Sequence, residues 1–273
     1  MGNTNSVTVE HLGSCVIEQM KTLCAPIEAC CTTTDLHPEA PGVRVEVMNV
    51  TQTPATKINP SDFETDFGST VDALGVQPAH VAQIFGVNSR DKSGGLTIAR
   101  LMGANLKKFS QTLWNLVAAQ LKSANGFGTL CTIAPTAFGL NEVSLAVAGL
   151  KSASRALILD SSIMANLASW PLLADRSNVL FPGGIWEADF TASPGVLGAV
   201  CDRNALVAAV GVPARFETKS LTSSPVDLPA LGMKILVTSW FVPNLRGERC
   251  SFECMIGIAP GNTDACKLIL SGS

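Results

Sequence analysis

Six residues of the types that commonly bind metal ions lie within the first 40 positions of the chain. They are histidines and cysteines, in the order His11, Cys15, Cys24, Cys30, Cys31 and His37. A structural zinc site needs four such ligands that converge in tetrahedral geometry. The spacings match no zinc ribbon or finger, and the chain contains no Cys-x-x-Cys pair. We therefore expect no metal site in this segment.

Residues for nucleophilic catalysis are also sparse. A serine or cysteine nucleophile needs a base, and the three histidines His11, His37 and His80 are the imidazoles that could serve. The Gly-x-Ser-x-Gly pattern of a nucleophile elbow is absent. Asp160-Ser161-Ser162 follows a short apolar run, where an active-site loop could lie. The same residues are typical of the start of a helix, which is the interpretation we favour.

Acid–base and phosphate chemistry have no better candidates. Glu64 and Asp66 are neighbouring carboxylates, but they lie in a polar stretch without the apolar surroundings that raise a carboxyl pKa. Neither a phosphate-binding loop nor a dinucleotide fingerprint occurs. The sequence therefore predicts no catalytic, cofactor-binding or metal-binding residues, and it favours a protein that is not an enzyme.

The start of the chain matches a lipidation pattern. Met1 to Ser6 fit the consensus for N-myristoylation, with Gly2 as the acceptor. Because that pattern is short and frequent by chance, we interpret this start of the chain as a flexible polar arm. We see no secretory signal and no apolar stretch long enough to cross a bilayer.

Nine cysteines occur, an odd number, and we expect their thiols to be reduced in a cytoplasm. Cys250 and Cys254 would lie on one face of a strand, so we interpret them as small core residues.

The composition favours a protein covered by partners. Hydrophobic residues make up 47% of the chain and charged residues only 15%, where about a quarter is usual for a soluble protein. Subunits that cover one another explain such a surface, and a monomer with a large core is the alternative. The net charge is −3 without a cluster of cations, so nucleic acid would be enclosed by this protein and not gripped by it.

The first half of the chain reads as a helix, an extended excursion and a second, longer helix. Val9 to Ala25 has apolar residues at helical spacing. From Gly42 the period becomes two, and 42–92 reads as a long two-stranded ribbon that has little to pack against. Asp91 to Gly95 then supplies helix-start residues. The helix from Leu96 to Lys122 would contain about 28 residues and span on the order of 40 Å.

The second half mixes short helices and strands. Asn141 should cap a helix over 142–155, and Asp202-Arg-Asn204 should start another that runs through Val210. The remaining predicted elements are a strand at 156–159, a helix at 161–170, strands at 185–190 and 197–201, and a closing antiparallel meander of 233–241, 250–258 and 267–270. The fold class is α+β.

This order of elements resembles the major capsid protein of tailed double-stranded DNA phages, the Hong Kong 97-type fold, in its podovirus-like form. Asn59–Gly68 with His80–Ser89 is similar to the extended-loop hairpin of those coat proteins, and Leu96–Lys122 resembles their spine helix. Ala156–Leu167 is similar to a strand and helix of their axial domain, and Asp202–Val210 with the final meander to their late segments.

The resemblance implies a division of the chain. The expected parts are an N-terminal arm with a short helix (1–41), an extended β-hairpin loop (42–92), a peripheral domain with the spine helix (93–140), a mixed α/β axial domain (141–230) and a β meander that returns to the peripheral domain (231–273).

The resemblance also implies a function. The chain would assemble into pentamers and hexamers of an icosahedral shell that encloses double-stranded DNA, in a virion built in the host cytoplasm. Portal, scaffolding and decoration proteins would be further partners, and no membrane, cofactor or metal is involved. Two alternatives remain open: the shell of an encapsulin-like protein compartment, and a soluble enzyme whose site the sequence does not reveal.

Overall fold

The computed structural model describes residues 9–35, 45–52, 70–88, 90, 98–167, 179–213, 221–228 and 232–272. The helices are α1 (Val9–Leu23), α2 (Ala25–Cys30), α3 (Ile98–Ala118), α4 (Leu140–Gly149) and α5 (Ser161–Leu167). The strands are β1 (Cys31–Asp35), β2 (Val45–Gln52), β3 (Thr70–Val76), β4 (Ala79–Asn88), β5 (Gly128–Ile133), β6 (Ala156–Leu159), β7 (Ile185–Glu187), β8 (Val196–Cys201), β9 (Leu206–Gly211), β10 (Leu221–Leu228), β11 (Met233–Val242), β12 (Gly247–Pro260) and β13 (Cys266–Ser271). The α+β prediction is confirmed.

The larger sheet is built around β12. Its strand order is β1-β9-β12-β11-β10, and β4 pairs with β12 in addition. The β4 register covers Gly247–Ile256 of β12, which overlaps the registers of both β11 and β9. Since a strand has two edges, β4 occupies one edge of β12, while β11 and β9 follow each other along the other. A strand of 14 residues thus joins most of this sheet.

Helices α1 and α3 cover one face of the larger sheet. Phe252 of β12 is fully buried, and its ring centroid lies 5.1 Å from that of Phe85 on β4 and 6.3 Å from that of Phe109 on α3. Val16 and Met20 of α1 are buried at the same core. Burying a side chain of this size stabilises the fold by about 1.5–3 kcal/mol. The apolar stripes of the two helices therefore form one layer, which packs on the inner face of the sheet.

The smaller sheet has the order β5-β13-β8-β6-β7. All four residues of β6 are buried, because helices lie on both sides of it. A cluster that includes Val143 of α4, Ile163 of α5 and Phe181 packs against one face. Small residues of β8 on the other face, among them Ala199 and Cys201, belong to the same core cluster as Phe252 and Phe109.

The third sheet is a ribbon of β2 and β3 alone. The two strands pair antiparallel from Val45↔Val76 to Gln52↔Thr70, with an irregularity between Val50 and Gln52. Residues 53–69, which include the carboxylates Glu64 and Asp66 and the Asn59–Gly68 part of the predicted hairpin, lie outside the described residues.

Several predicted elements are confirmed in place, and others differ at their ends. Helix α1, strand β6, the start of α5 and strands β8, β11 and β12 lie where the sequence predicts them. The long helix is described over Ile98–Ala118, 21 residues, and it ends before the predicted Lys122 in turns that lead to a short 3-10 helix at Ser123–Asn125. The predicted start at Asp91–Gly95 lies outside the described residues.

The prediction of a helix over 202–210 is wrong. Residues 206–211 form strand β9, which lies between β1 and β12. All six residues of this strand are buried. A strand covered on both faces is apolar throughout and loses the alternation that identifies a strand from its sequence.

The helix predicted over 142–155 also needs correction at both ends. It runs from Leu140 to Gly149, and Gly139, not Asn141, is the N-cap. The Glu142 carboxylate accepts a hydrogen bond from the Gly139 amide at 2.8 Å. A glutamate three residues into a helix satisfies an otherwise free amide in this way.

Three strands differ from the predictions because each pairs with a strand that is distant in the sequence. Cys31–Asp35, for which no strand is predicted, is β1 and pairs in parallel with β9. Ala79–Asn88, predicted as part of the ribbon, is β4 of the larger sheet. The last strand of the predicted meander, β13, leaves the larger sheet and pairs with β5 and β8 of the smaller one.

Candidate assembly surfaces

The root of the ribbon is attached to the body of the molecule. Val76, at the end of β3, is 1% exposed and packs with Val207 and Ala209 of β9 and with Ala259 of β12. Gly257 lies beneath it, and a Cβ atom there would lie 2.4 Å from Val76 Cγ1 and 2.9 Å from the Pro78 nitrogen. The close approach needs glycine at this position. The ribbon is therefore anchored at one end by a small apolar cluster.

The rest of the ribbon makes a two-stranded sheet that joins neither of the larger sheets within the described residues. An isolated two-stranded ribbon is marginally stable in water, because each strand lacks a second neighbour and a packed face. A surface outside this ribbon has to support it. That requirement makes the ribbon a candidate assembly surface.

A second candidate is the β4 edge of the larger sheet, on the face opposite α1 and α3. Register places Ile84 of β4 beside Ser251 of β12 on this face, and the Ile84 side chain is 59% exposed. Arg249 of β12 lies across Gly86 of β4, since a Cβ atom at Gly86 would meet its Cδ at 2.4 Å. Within the described residues, β4 pairs with β12 alone, which leaves its other edge open to a further strand.

The same face carries a polar pair. His80 Nε2 of β4 lies 3.0 Å from Glu253 Oε2 of β12. The hydroxyl of Ser251 donates to the other oxygen of the Glu253 carboxylate. His80, one of the histidines considered as a base, thus contacts a partly exposed carboxylate near the β4 edge of this face.

Other large apolar side chains are also exposed. Among the described residues they are Ile17 on α1, Leu140 and Leu145 on α4, Val179, and Phe241 near the end of β11. Single exposed apolar residues are normal on a protein surface. Leu140 and Leu145 are 60% and 50% exposed on the same short helix, which makes α4 a third candidate surface.

The residues that the sequence analysis considered for chemistry have structural partners. Asp160 caps α5, because one carboxylate oxygen accepts from the Ser162 amide at 3.0 Å and from the Ser162 hydroxyl at 2.7 Å. This confirms the helix-start interpretation. Cys250 and Cys254 both lie in the core on β12, as expected.

The early cysteines are dispersed through the core. Cys24, Cys30 and Cys31 are buried and Cys15 is half-buried, whereas His37 lies outside the described residues and the His11 side chain is not described. Desolvation raises the pKa of Cys24 to about 12. Burial also raises the pKa of Cys254, Cys131 and Cys250. A thiol that stays protonated at neutral pH is a poor nucleophile and a poor metal ligand.

Two surface grooves were not foreseen from the sequence. One has a volume of about 480 Å³ and lies between α3, the start of α2 and the segment after β7, with Lys107, Trp114, Asp160 and Glu187 among its lining residues. The other, of about 310 Å³, lies beside the 2.7 Å ion pair of Arg203 and Glu28. The described residues contain no group of three or more histidine, cysteine or acidic side chains placed to hold a metal ion. No helix among them is long and apolar enough to cross a membrane.

Comparison with known proteins gives structural matches alone. No family model matches the chain, and no curated protein does. Among solved structures, the virus-like particle from Pyrococcus furiosus is 14% identical with a TM-score of 0.57, over 95% of this chain and 98% of that one. The capsid of cyanophage P-SCSP1u is 10% identical with a TM-score of 0.52, over 89% of this chain and 86% of that one.

The capsid of an empty GTA particle is also similar. It is 13% identical with a TM-score of 0.52, over 91% of this chain and 90% of that one. Identities this low carry no argument about shared chemistry, but the match extends over nearly the whole length of both chains in each comparison. The chain has the Hong Kong 97-type capsid-protein fold.

Proposed function

We propose that this chain is the major capsid protein of a tailed double-stranded DNA phage and that it assembles into pentamers and hexamers of an icosahedral shell. The observation that carries the proposal is the β2–β3 ribbon, which is anchored at Val76 and otherwise lacks a described sheet to join. The likeness to capsid and virus-like-particle structures supports it.

The mechanism is burial of surface between copies, without bond chemistry. The ribbon of one copy would lie at the β4 edge of the larger sheet of its neighbour, where Ile84 is exposed and no described strand pairs with the outer side of β4. Apolar burial contributes about 25 cal/mol per Å² before the costs of association are subtracted. Because a closed shell repeats each contact many times, contacts that are individually weak hold it together.

The proposed division of the chain follows the expected one. Residues 1–41 would form the arm, 42–92 the extended loop, 93–140 the peripheral domain, 141–230 the axial domain and 231–273 the returning strands. Residues 9–35 pack on the body through α1, α2 and β1, so an arm that reaches a neighbour would consist of residues before Val9. Strand β4 would act as the root of the loop and as a strand of the peripheral sheet.

The proposal includes a place of assembly and a set of partners. The shell would form in the host cytoplasm, with portal, scaffolding and decoration proteins as further partners, and would become the capsid of the virion. A net charge of −3 suits a wall that encloses DNA, because it does not attract the phosphate backbone.

A protein compartment that encloses cargo other than a phage genome is the second candidate. The likeness to the virus-like particle from Pyrococcus furiosus, with a TM-score of 0.57, favours it. Particles purified from cells separate the two functions by their contents, since one should contain double-stranded DNA and the other a protein cargo.

The direct test is to express the full chain alone and examine it by negative-stain microscopy and sedimentation velocity. Closed particles or rings are expected. A deletion of residues 53–69, joined by a short turn, should abolish them and leave the helical circular dichroism unchanged. A chain that sediments only as a 28.5 kDa monomer at all concentrations would contradict the proposal.

A further inference from the structure

Two cysteines face each other across the smaller sheet. Cys201 is the last residue of β8, Cys266 is the first residue of β13, and the antiparallel register pairs them directly. The next pair, Asp202 and Ala265, is hydrogen-bonded, with the Asp202 amide donating to the Ala265 carbonyl at 2.9 Å. Opposed pairs in an antiparallel ladder alternate between hydrogen-bonded and non-hydrogen-bonded positions. Cys201 and Cys266 therefore occupy a non-hydrogen-bonded position.

This position has the spacing of a disulfide. The Cα atoms of a non-hydrogen-bonded pair lie about 4.5 Å apart, and the side chains point to the same face of the sheet. A disulfide requires Cα atoms roughly 4.4–6.8 Å apart and Cβ atoms roughly 3.5–4.5 Å apart. The pair meets the first requirement without movement of either strand.

The thiols are enclosed between the smaller sheet and α2. Both side chains are 0% exposed, and the Cys201 thiol donates weakly to the Ala29 carbonyl of α2 at 3.9 Å. The neighbouring thiols of Cys201 and Cys31 raise the pKa of Cys30, at the end of α2. The Sγ atoms of Cys30 and Cys31 lie 3.8 Å apart. A layer of four thiols thus lies under α2.

We propose that Cys201 and Cys266 are an oxidation site, and that they form a disulfide when the folded chain is exposed to a small organic disulfide. The inference goes beyond the shell function and does not depend on it, because both cysteines belong to one subunit. It would add a covalent link between β8 and β13, the two central strands that β5 and β6 flank.

The organic disulfide is the oxidant in two successive thiol–disulfide exchange steps. One cysteine loses its proton and attacks a sulfur of the reagent, which releases one thiolate and leaves a mixed disulfide. The second cysteine, after losing its proton, attacks the protein sulfur of that mixed disulfide and releases the second thiolate. The two protons end on the two released thiols, and the reagent accepts the two electrons.

Neighbouring thiols are poorer partners for Cys201 and Cys266. A bond between Cys30 and Cys31 would join consecutive residues and force the planar peptide between them out of its preferred geometry. Cys30 is close to Cys201, but it belongs to a helix while Cys201 belongs to a strand, so no ladder register holds their Cα atoms opposite each other. Paired strands, in contrast, hold their residues opposite each other.

Burial makes the reaction slow in both directions. Desolvation raises the pKa of Cys266, so the thiolate is rare at neutral pH, and the reagent has to enter through a local opening of the fold. The same enclosure protects the disulfide from reduction. We expect formation over hours, and persistence when exposed thiols have been reduced again.

The test uses the full-length folded chain and 2-hydroxyethyl disulfide as the probe. After incubation, the remaining thiols are alkylated in acid-quenched, denatured protein, and peptides are mapped without reduction. The expected result is one linked peptide pair that contains Cys201 and Cys266. The thermal unfolding midpoint should rise by roughly 5 °C, because the link closes a long loop in the unfolded chain.

Alanine variants identify the two cysteines that form the disulfide. Cys201→Ala and Cys266→Ala should each abolish it, whereas Cys30→Ala and the control Cys131→Ala, at a half-exposed thiol of β5, should leave it. Failure of the wild-type chain to form this link, while Cys131 reacts, would overturn the inference. So would a map in which Cys201 is linked to Cys30. The wild-type map decides the outcome even where an alanine variant does not fold.

Discussion

Gly257 and Val76 are in such close contact that a Cβ atom at position 257 would lie 2.4 Å from Val76 Cγ1. One residue belongs to the longest strand of the larger sheet and the other to the end of the ribbon. The direction in which the ribbon leaves the body therefore depends on the absence of a side chain at position 257. In the proposed shell, this contact would set where the ribbon meets a neighbouring copy.

The first prediction concerns this contact. Gly257→Ala should cost about 1–3 kcal/mol of unfolding free energy, because an added methyl group overpacks the root of the ribbon. Particle yield in negative stain should fall further than stability, since the ribbon is redirected. Gly103→Ala is the matched control, because the nearest atom to a Cβ there is Gln19 Oε1 at an ordinary 3.5 Å. Equal particle yields from the two variants would count against a role for the ribbon root.

The second prediction concerns the outer face of the larger sheet. Ile84→Glu should abolish assembly while changing the free energy of unfolding by about 0.5 kcal/mol or less, because the side chain is 59% exposed in the single chain. Ile84→Val keeps the apolar contact and should assemble normally. Sedimentation velocity and urea unfolding measure the two quantities. Normal particles from Ile84→Glu would remove this face from the proposed interface.

The third prediction separates core from surface phenylalanines. Phe252→Ala should cost about 3–5 kcal/mol, because it leaves a cavity between the rings of Phe85 and Phe109. Phe241→Ala removes a ring that is 54% exposed and should have little effect on the single chain. The free energies of unfolding of the two variants are compared by urea denaturation of the dissociated single chains. A similar loss in both variants would mean that Phe252 does not pack between α3 and the sheet.

The fourth prediction concerns alkaline pH. Burial raises the pKa of the Cys24 thiol to about 12, above the value of about 8.5 in an unfolded chain. The unfolded state therefore loses this proton first as the pH rises, and stability from the buried neutral thiol is complete below about pH 8 and falls between about pH 8.5 and 12. Urea midpoints at pH 8 and pH 10 measure the loss.

Cys24→Ala provides the comparison for that pH series. Its midpoint should fall less between the two pH values than that of the unsubstituted chain, because alanine has no proton to lose. Other buried thiols, including Cys254 and Cys266, retain the same dependence, since burial raises their pKa as well. An identical pH dependence in the variant and the unsubstituted chain would contradict the effect assigned to Cys24.

Amphipathic elements were predictable because their pattern is local. The stripes of α1 and α3 repeat at helical spacing, and Val16, Met20 and Phe109 lie in the core where that spacing places them. The Asp160 cap and the core positions of Cys250 and Cys254 were predictable for the same reason. A side chain that acts within one turn or along one strand can be assigned without knowing which distant segment it meets.

Elements buried on two sides were not predictable in this way. Leu206–Gly211 is apolar at every position because β1 and β12 flank it in the sheet and both of its faces are covered, so a helix and a strand match its composition equally well. The sequence predicts β4 as part of the ribbon, because nothing near it in sequence indicates that its partner is β12, more than 150 residues later.

The sequence by itself determined the fold class, the main helices and the lack of a recognisable constellation for catalysis, because each of these depends on residue types at short spacing. The tertiary structure alone decided that β13 joins the smaller sheet, that Gly257 lies beneath Val76, and that Cys201 faces Cys266. These contacts join segments far apart in the chain. Their partners are selected by the burial and hydrogen bonding of the whole fold, which no local pattern encodes.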